Sequence, residues 1–287
     1  MIERLALIGV GLIGGSLVRA LKARQVCREV VGCGRDVANL KKAVALKVID
    51  RYETDPAIAV AGADMVVVAV PLGAMRSIFQ IIVPALSKTA VVTDVGSGKA
   101  SVIADVQQVT GEVPPWFVPG HPIAGTEKSG VEASFGTLFE RRRVILTPLP
   151  STSLVALEQV RSMWQHTGAE VVSMGIEQHD RILAATSHLP HMLAFSLVNQ
   201  LADMDHEDDV FRFAAGGFRD FSRIASSDPV MWRDICFGNR EAIVDAIKKF
   251  QVQLNQVVDL MENNQCDHLQ QLFHRSKAVR DDFGSTS

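Results

Sequence analysis

The segment Gly9-Val10-Gly11-Leu12-Ile13-Gly14 constrains the fold more than any other stretch of the chain. It follows the apolar run Leu5–Ile8 and leads into a helix-length segment, Gly14–Arg24. The first glycine permits a tight turn, the second lets a phosphate approach the backbone, and the third lets the helix pack close to the strand. The helix start then offers unpaired N–H groups and a partial positive charge. A bare GxGxxG also occurs in flexible turns. Here it directly follows an apolar strand, and a second strand comes at the expected distance. The sequence therefore predicts a dinucleotide site with Gly9, Gly11, Leu12, Ile13 and Gly14 at the phosphates.

The pattern continues as short Val- and Ile-rich runs alternating with helical segments. The runs are Leu5–Val10, Glu29–Gly32, Met65–Val70, Ala90–Val95, Trp116–Pro119, Val144–Leu149 and Glu170–Met174. Several lack polar alternation, as strands do when a parallel sheet is covered on both faces. Residues 1–174 thus read as a doubly wound, Rossmann-like α/β domain. Beyond Gly175 the β pattern stops, and residues 175–287 read as an all-α domain. Residues 176–204 form one long apolar helix interrupted at His188-Leu189-Pro190-His191, since an internal proline kinks or ends a helix. Asp228-Pro229 marks the start of another. Ile243, Ile247, Phe250, Leu254, Val257 and Met261 step by four and three. That stripe suits either an internal core face or a seam against a second subunit. Gly284–Ser287 reads as a frayed tail.

A length of 287 residues suits two domains. With 47% hydrophobic and 21% charged residues, the chain has enough apolar material for a real core. A net charge of −3 provides no footprint for binding a nucleic-acid backbone. The cysteines Cys27, Cys33, Cys236 and Cys266 form no CxxC pair and read as reduced thiols of a cytoplasmic protein. Met1 leads straight into a strand without a secretory leader pattern, and no run reaches the ~20 apolar residues of a membrane helix.

An NAD site usually has an acid about 20 residues beyond the glycines, bonded to the ribose. Here Gly34 holds that position and Arg35 and Asp36 follow. A small residue followed by Arg suits a 2′-phosphate, so the sequence favours NADP over NAD. In the alternative, Asp36 binds the ribose and Arg35 is solvated. Ligands of open α/β sheets bind at the carboxyl ends of the strands. Three segments arrive there: Val70-Pro71, Gly96-Ser97-Gly98-Lys99, and Gly120-His121-Pro122-Ile123-Ala124-Gly125-Thr126-Glu127. His121 on such a loop suits a general base near neutral pH, and Ser97 suits a partner of the histidine or of a substrate hydroxyl.

Gly9–Ser16, Val92–Lys99, Gly120–Gly125, Ser187-His188-Leu189-Pro190-His191 and Gly216-Gly217-Phe218-Arg219-Asp220 occur in one order. Together they resemble the prephenate/arogenate (cyclohexadienyl) dehydrogenase family of tyrosine biosynthesis, over nearly the whole chain. The resemblance implies a nucleotide-binding domain followed by a helical domain that forms a homodimer. It implies oxidative decarboxylation of a 4-hydroxycyclohexadiene, with a ring hydride passing to NAD(P). By resemblance His121 is the base and Ser97 orients the hydroxyl. Arg223 clamps a carboxylate, and Arg219 pairs with an acid or supports the site. Ser187, His188 and His191 line the pocket, joined by Thr126, Glu127 and Gly217. Trp232 either caps the pocket, across the dimer, or is a plain core residue.

His188 and His191 lack the companions of a metal site. Arg141–Arg143 and Glu207–Asp209 read as solvated faces. His166, His179, His206, His268 and His274 have no convergent companions in the sequence. A β-hydroxyacid dehydrogenase would favour a lysine followed closely by asparagine in the second domain; Lys248, Lys249 and Lys277 lack one, with Asn255 merely nearby. A non-catalytic NADP sensor would not need His121, Ser97 and Arg223 together.

Overall fold

The computed structural model describes residues 1–204 and 207–285. The chain forms two compact units, Met1–Arg240 and Glu241–Ser287. In the first unit, β1 (Ile2–Ile8), β2 (Cys27–Cys33), β3 (Arg51–Glu53), β4 (Met65–Val68), β5 (Val91–Asp94) and β6 (Phe117–Val118) build a parallel sheet in the order β3-β2-β1-β4-β5-β6. Its order reverses between β1 and β4, which opens a crevice at their carboxyl ends. The connecting helices are α1 (Leu12–Ala23), α2 (Val37–Ala45), α3 (Pro56–Val60), α4 (Met75–Ile82) and α5 (Lys99–Thr110).

Residues alternate between the two faces along each strand. Leu5, Leu7, Met65 and Val67 enter one core with Leu17, Leu21 and Trp164, while Ala6, Ile8, Val66 and Val68 enter the other with Phe79 and Val102. Both faces are apolar because both are covered. Each fully buried Leu or Ile contributes roughly 2 kcal/mol.

The later strands depart from the expected pattern. β7 (Gly120–Pro122), β8 (Arg143–Leu146) and β9 (Glu170–Ser173) form a separate three-stranded sheet, with β7 antiparallel to β8 and β8 parallel to β9. His121 therefore lies within a strand, opposite Ile145, and not on a loop. β3 was not expected: its three residues are all half-buried and carry no apolar run.

Helices α6 (Leu154–Gln165), α7 (Ile176–Leu183), α8 (Leu189–Ala202), α9 (Glu207–Arg212), α10 (Gly216–Ser222) and α11 (Pro229–Gly238) complete this unit. Between α7 and α8 the chain stays helical through a wide π turn, Ala184–His188. Pro190 follows in the first turn of α8, where its missing N–H is tolerated. Asp228 caps α11, accepting from the Met231 N–H at 2.8 Å.

The second unit holds α12 (Arg240–Glu262), which carries the expected apolar stripe, and α13 (Cys266–Ser285). Among its side chains Val252, Leu254, Met261 and Phe273 are exposed in the single chain. The α13 backbone is helical through Ser285, where a frayed tail was expected. Thr286, Ser287, His206 and the side chains of Glu207, Asp208 and Asp209 lie outside the described residues. All four cysteines are free. Among the described residues no helix is long and apolar enough to cross a membrane.

Candidate active site

The glycine loop turns at the end of β1, beside β4. Gly9 has φ +101°, and a Cβ there would lie 2.2 Å from the Ala69 carbonyl oxygen and 3.2 Å from a Val70 methyl. A Cβ on Gly14 would meet the Gly9 oxygen at 2.6 Å, whereas one on Gly11 would meet nothing within 4 Å. Close packing behind the loop thus coexists with open space in front of it. Gly11 caps α1 with no side chain, so no side chain occupies the amides of Leu12, Ile13 and Gly14. Open space, free N–H groups and a helix N-terminus fit a pyrophosphate. Pro71 follows Val70 and is exposed.

At the end of β2, Gly34 is half-buried and Arg35 exposed. The Asp36 carboxylate caps α2, accepting from the amides of Ala38 at 2.9 Å and Asn39 at 3.2 Å. Asn39 donates through Nδ2 to the Val10 carbonyl at 2.8 Å, which fastens α2 to the glycine loop.

The buried histidine of β7 heads a chain of hydrogen bonds. His121 Nδ1 lies 2.8 Å from His179 Nε2, and His179 Nδ1 lies 2.7 Å from Asp180 Oδ1. Asp180 also accepts from the Lys99 and Ala100 amides, each at 2.9 Å, and so caps α5. A carboxylate only accepts, so the His179 proton sits on Nδ1. With that proton on Nδ1, His179 Nε2 is placed to accept from His121 Nδ1. This leaves His121 Nε2 with a free lone pair. Burial, then His179, Lys99 and His188, push the His121 imidazolium well below its ordinary value of 6.5. Burial pushes the Asp180 carboxyl up, but the bonds from His179, Lys99 and Ala100 outweigh it and hold it below the ordinary carboxylate value.

His179 corrects the sequence reading, which gave it no companions. It is fully buried and touches both His121 and Asp180. Ser97 is half-buried after β5, and the partner of His121 Nδ1 is His179. Asp180, Lys99, Asp94 and Asn239 were also missed. An acid directly after a histidine in a helix reads as ordinary surface, and the pairing to His121 spans 58 residues.

The π turn and α8 present the other histidines. His188 is buried, and its Nδ1 accepts from Asn239 Nδ2 at 3.3 Å. The same Nδ2 donates to the Asp180 carbonyl at 2.8 Å. Burial lowers His188 to about 4, so the ring is neutral at pH 7 with its proton on Nε2. His191 Nδ1 donates to the Ser187 carbonyl at 2.8 Å. Its ring stacks on Trp232 with centroids 3.7 Å apart. Trp232 is buried in this way within its own chain, and its Nε1–H has no partner among the described residues.

Arg223, exposed just past α10, reaches Glu127 at 3.4 Å. Thr126 is exposed and accepts the Lys128 amide. Gly217 and Arg219 are exposed on α10, and the ion pair belongs to Arg223 and not to Arg219.

Comparison with known proteins places this geometry in a family. Residues 17–173 match the family description "Prephenate dehydrogenase, nucleotide-binding domain", and residues 176–275 match "Prephenate dehydrogenase, dimerization domain". The cyclohexadienyl dehydrogenase of Zymomonas mobilis is 35% identical over 283 residues, covering 97% of this chain and 95% of that protein. The prephenate dehydrogenase of Bacillus subtilis is 36% identical over 290 residues, covering 98% of this chain and 76% of that protein. The crystal structure of prephenate dehydrogenase from Aquifex aeolicus, in complex with hydroxyphenyl propionate and NAD+, superposes with a TM-score of 0.92 at 36% identity and covers 99% of both chains. With both halves matched and relatives of 35% and 36% identity along nearly all of this chain, the chain belongs to the prephenate dehydrogenase family.

Proposed function

We propose that the chain oxidatively decarboxylates prephenate or arogenate to 4-hydroxyphenylpyruvate or tyrosine, with a nicotinamide dinucleotide as oxidant. The observation that carries this reading is the His121–His179–Asp180 chain, which leaves one imidazole nitrogen basic beside a dinucleotide-binding sheet. The dinucleotide, when bound, supplies the hydride acceptor. His121 Nε2 takes the proton of the C4 hydroxyl as general base. As the imidazolium forms, its Nδ1–H bond to His179 strengthens, and Asp180 anchors His179 from behind. The carboxylate orients and stabilises without taking the proton, as in a Ser-His-Asp triad. Loss of CO2 from C1 makes the ring aromatic, so the protein's main tasks are positioning and deprotonation.

Ser97 orients the hydroxyl. Arg223 holds a carboxylate, and a long, exposed bond to Glu127 is weak enough to be exchanged for it. His188, neutral with a proton on Nε2, and Trp232, with its unsatisfied Nε1–H, supply donors. Ser187, His191, Thr126, Glu127, Gly217 and Arg219 complete the pocket.

NADP is favoured over NAD. Asp36 is committed to capping α2, whereas Arg35 is exposed beside Gly34. The glycine loop, Val70, Pro71 and Ser97 border the rest of the cofactor. The exposed apolar side chains of α12 and α13 and the family's dimerization description support a homodimer. The test crosses prephenate and arogenate with NAD and NADP and follows reduced-nicotinamide absorbance. Reduction with neither substrate, but with a 3-hydroxyacid, overturns the reading. Arg35→Ala weakens NADP more than NAD; equal weakening removes Arg35 from 2′-phosphate recognition.

A further inference from the structure

Beneath His121 lies a pair of charges that the proposed chemistry leaves unused. Lys99 and Asp94 are both fully buried, and the Lys99 ammonium is bonded to the Asp94 carboxylate. Lysine is almost never fully buried unless paired, and a buried pair adds little net stability over apolar residues of the same volume. The remaining bonds of this pair converge on one residue. Lys99 Nζ donates to the Gly120 carbonyl at 2.6 Å, and the Gly120 N–H donates to Asp94 Oδ1 at 3.1 Å. Asp94 Oδ2 also accepts from the Gly96 amide at 2.7 Å. Gly120 precedes His121, and Gly96 precedes Ser97. The pair therefore grips the backbone at both strand ends that carry the proposed base and its serine.

A closed ring follows. From Lys99 the chain enters α5, whose first amides rest on Asp180; Asp180 holds His179, His179 holds His121, and Gly120 returns to Lys99 and Asp94. We infer that the buried Lys99–Asp94 pair is a positioning device for His121, fixing the backbone that carries the ring and keeping a cation beside it. This rests on His121 being the base. The charged and titratable groups around the imidazole are His179 from α7 with Asp180 behind it, His188 from the π turn, and Lys99 from α5 with Asp94 of β5 behind it. After burial and His179, Lys99 disfavours a positive charge on His121, and it is the one ammonium among these groups.

Lys99→Met and the charge-neutral double variant Lys99→Met/Asp94→Asn test the inference. The double variant is included because the single change strands a buried carboxylate. Thermal melting establishes folding, and nucleotide titration establishes an intact cofactor site. The expected result is folded protein that binds nucleotide nearly as the parent does, with turnover lower by about tenfold or more from displacement of the base. The acid limb of kcat/KM moves to higher pH, and so does the His121 imidazole titration followed by NMR. A folded variant with parental turnover and an unmoved His121 titration overturns the inference. Loss of folding in both variants does so too, since the pair would then hold the domain and not the base. The NMR titration needs no substrate, so a mistaken substrate assignment and a mistaken role for Lys99 give different results.

Discussion

His121 is neutral because burial, His179, Lys99 and His188 all oppose its protonation. A base acts only when deprotonated, so activity falls as pH drops through its pKa. With that value well below 6.5, kcat/KM stays level through pH 6.5 and declines only in more acidic buffer. A decline centred at 6.5 or above would place the ring in water. His121→Asn keeps the volume and removes the basic nitrogen; turnover should fall roughly a hundredfold or more, and near-parental turnover would reassign the base. Arg223→Ala should act mainly on KM, because its proposed carboxylate contact exists before the proton moves. An unchanged KM in steady-state kinetics would shift the clamp to Arg219. At this scale the sequence was only half informative. His121, Ser97 and the arginines stand in recognisable motifs. His179 and Lys99 do not, because a histidine before an acid and a lysine at a helix start ordinarily face solvent. Burial that depends on contacts 58 or 81 residues away has no local signature.

Among the elements, the long parallel strands were readable because both faces are apolar. β3 and β7 were not, since three residues define no period. The π turn was read as a proline interruption one turn too late. A widened turn at Ala184–His188 sets His188 against Asn239, and π turns often occur at functional sites. Keeping that ring buried and uncharged links stability to pH. The unfolded chain binds the proton near 6.5 and the folded chain only near 4. Between those values the unfolded state holds more protons, so stability is fully present above 6.5 and falls as the pH drops towards 4. A depression from 6.5 to about 4 amounts to about 3 kcal/mol from this group. Denaturant midpoints at pH 7 and pH 4.5 should differ accordingly, and His188→Gln should flatten the dependence. An equal slope in that variant would assign the effect elsewhere.

For the whole molecule, the apolar stripe was the ambiguous feature, because a core face and a subunit seam share one spacing. In the single chain Leu254 is 49% exposed and Met261 63% exposed. Exposed apolar side chains here fit the dimerization description matched by residues 176–275. Leu254→Glu, placing a charge in the proposed seam, should shift sedimentation from dimer towards monomer. An undisturbed dimer would remove this stripe from the interface.

The proposed base also sits in an unusual carrier. His121 belongs to a three-residue strand in register with Ile145, gripped from below at Gly120. The proposed pocket residues lie on other elements: the exposed pair Thr126 and Glu127, the π turn and the short helix α10. Side-chain exchange at Thr126, Glu127 or α10 would leave the strand's own hydrogen bonds, to β8 and to the Lys99–Asp94 pair, untouched. Such a scaffold lets descendants explore new substrates while inheriting one unaltered proton acceptor, so divergence in this lineage should accumulate in what is recognised long before it reaches how the reaction is done.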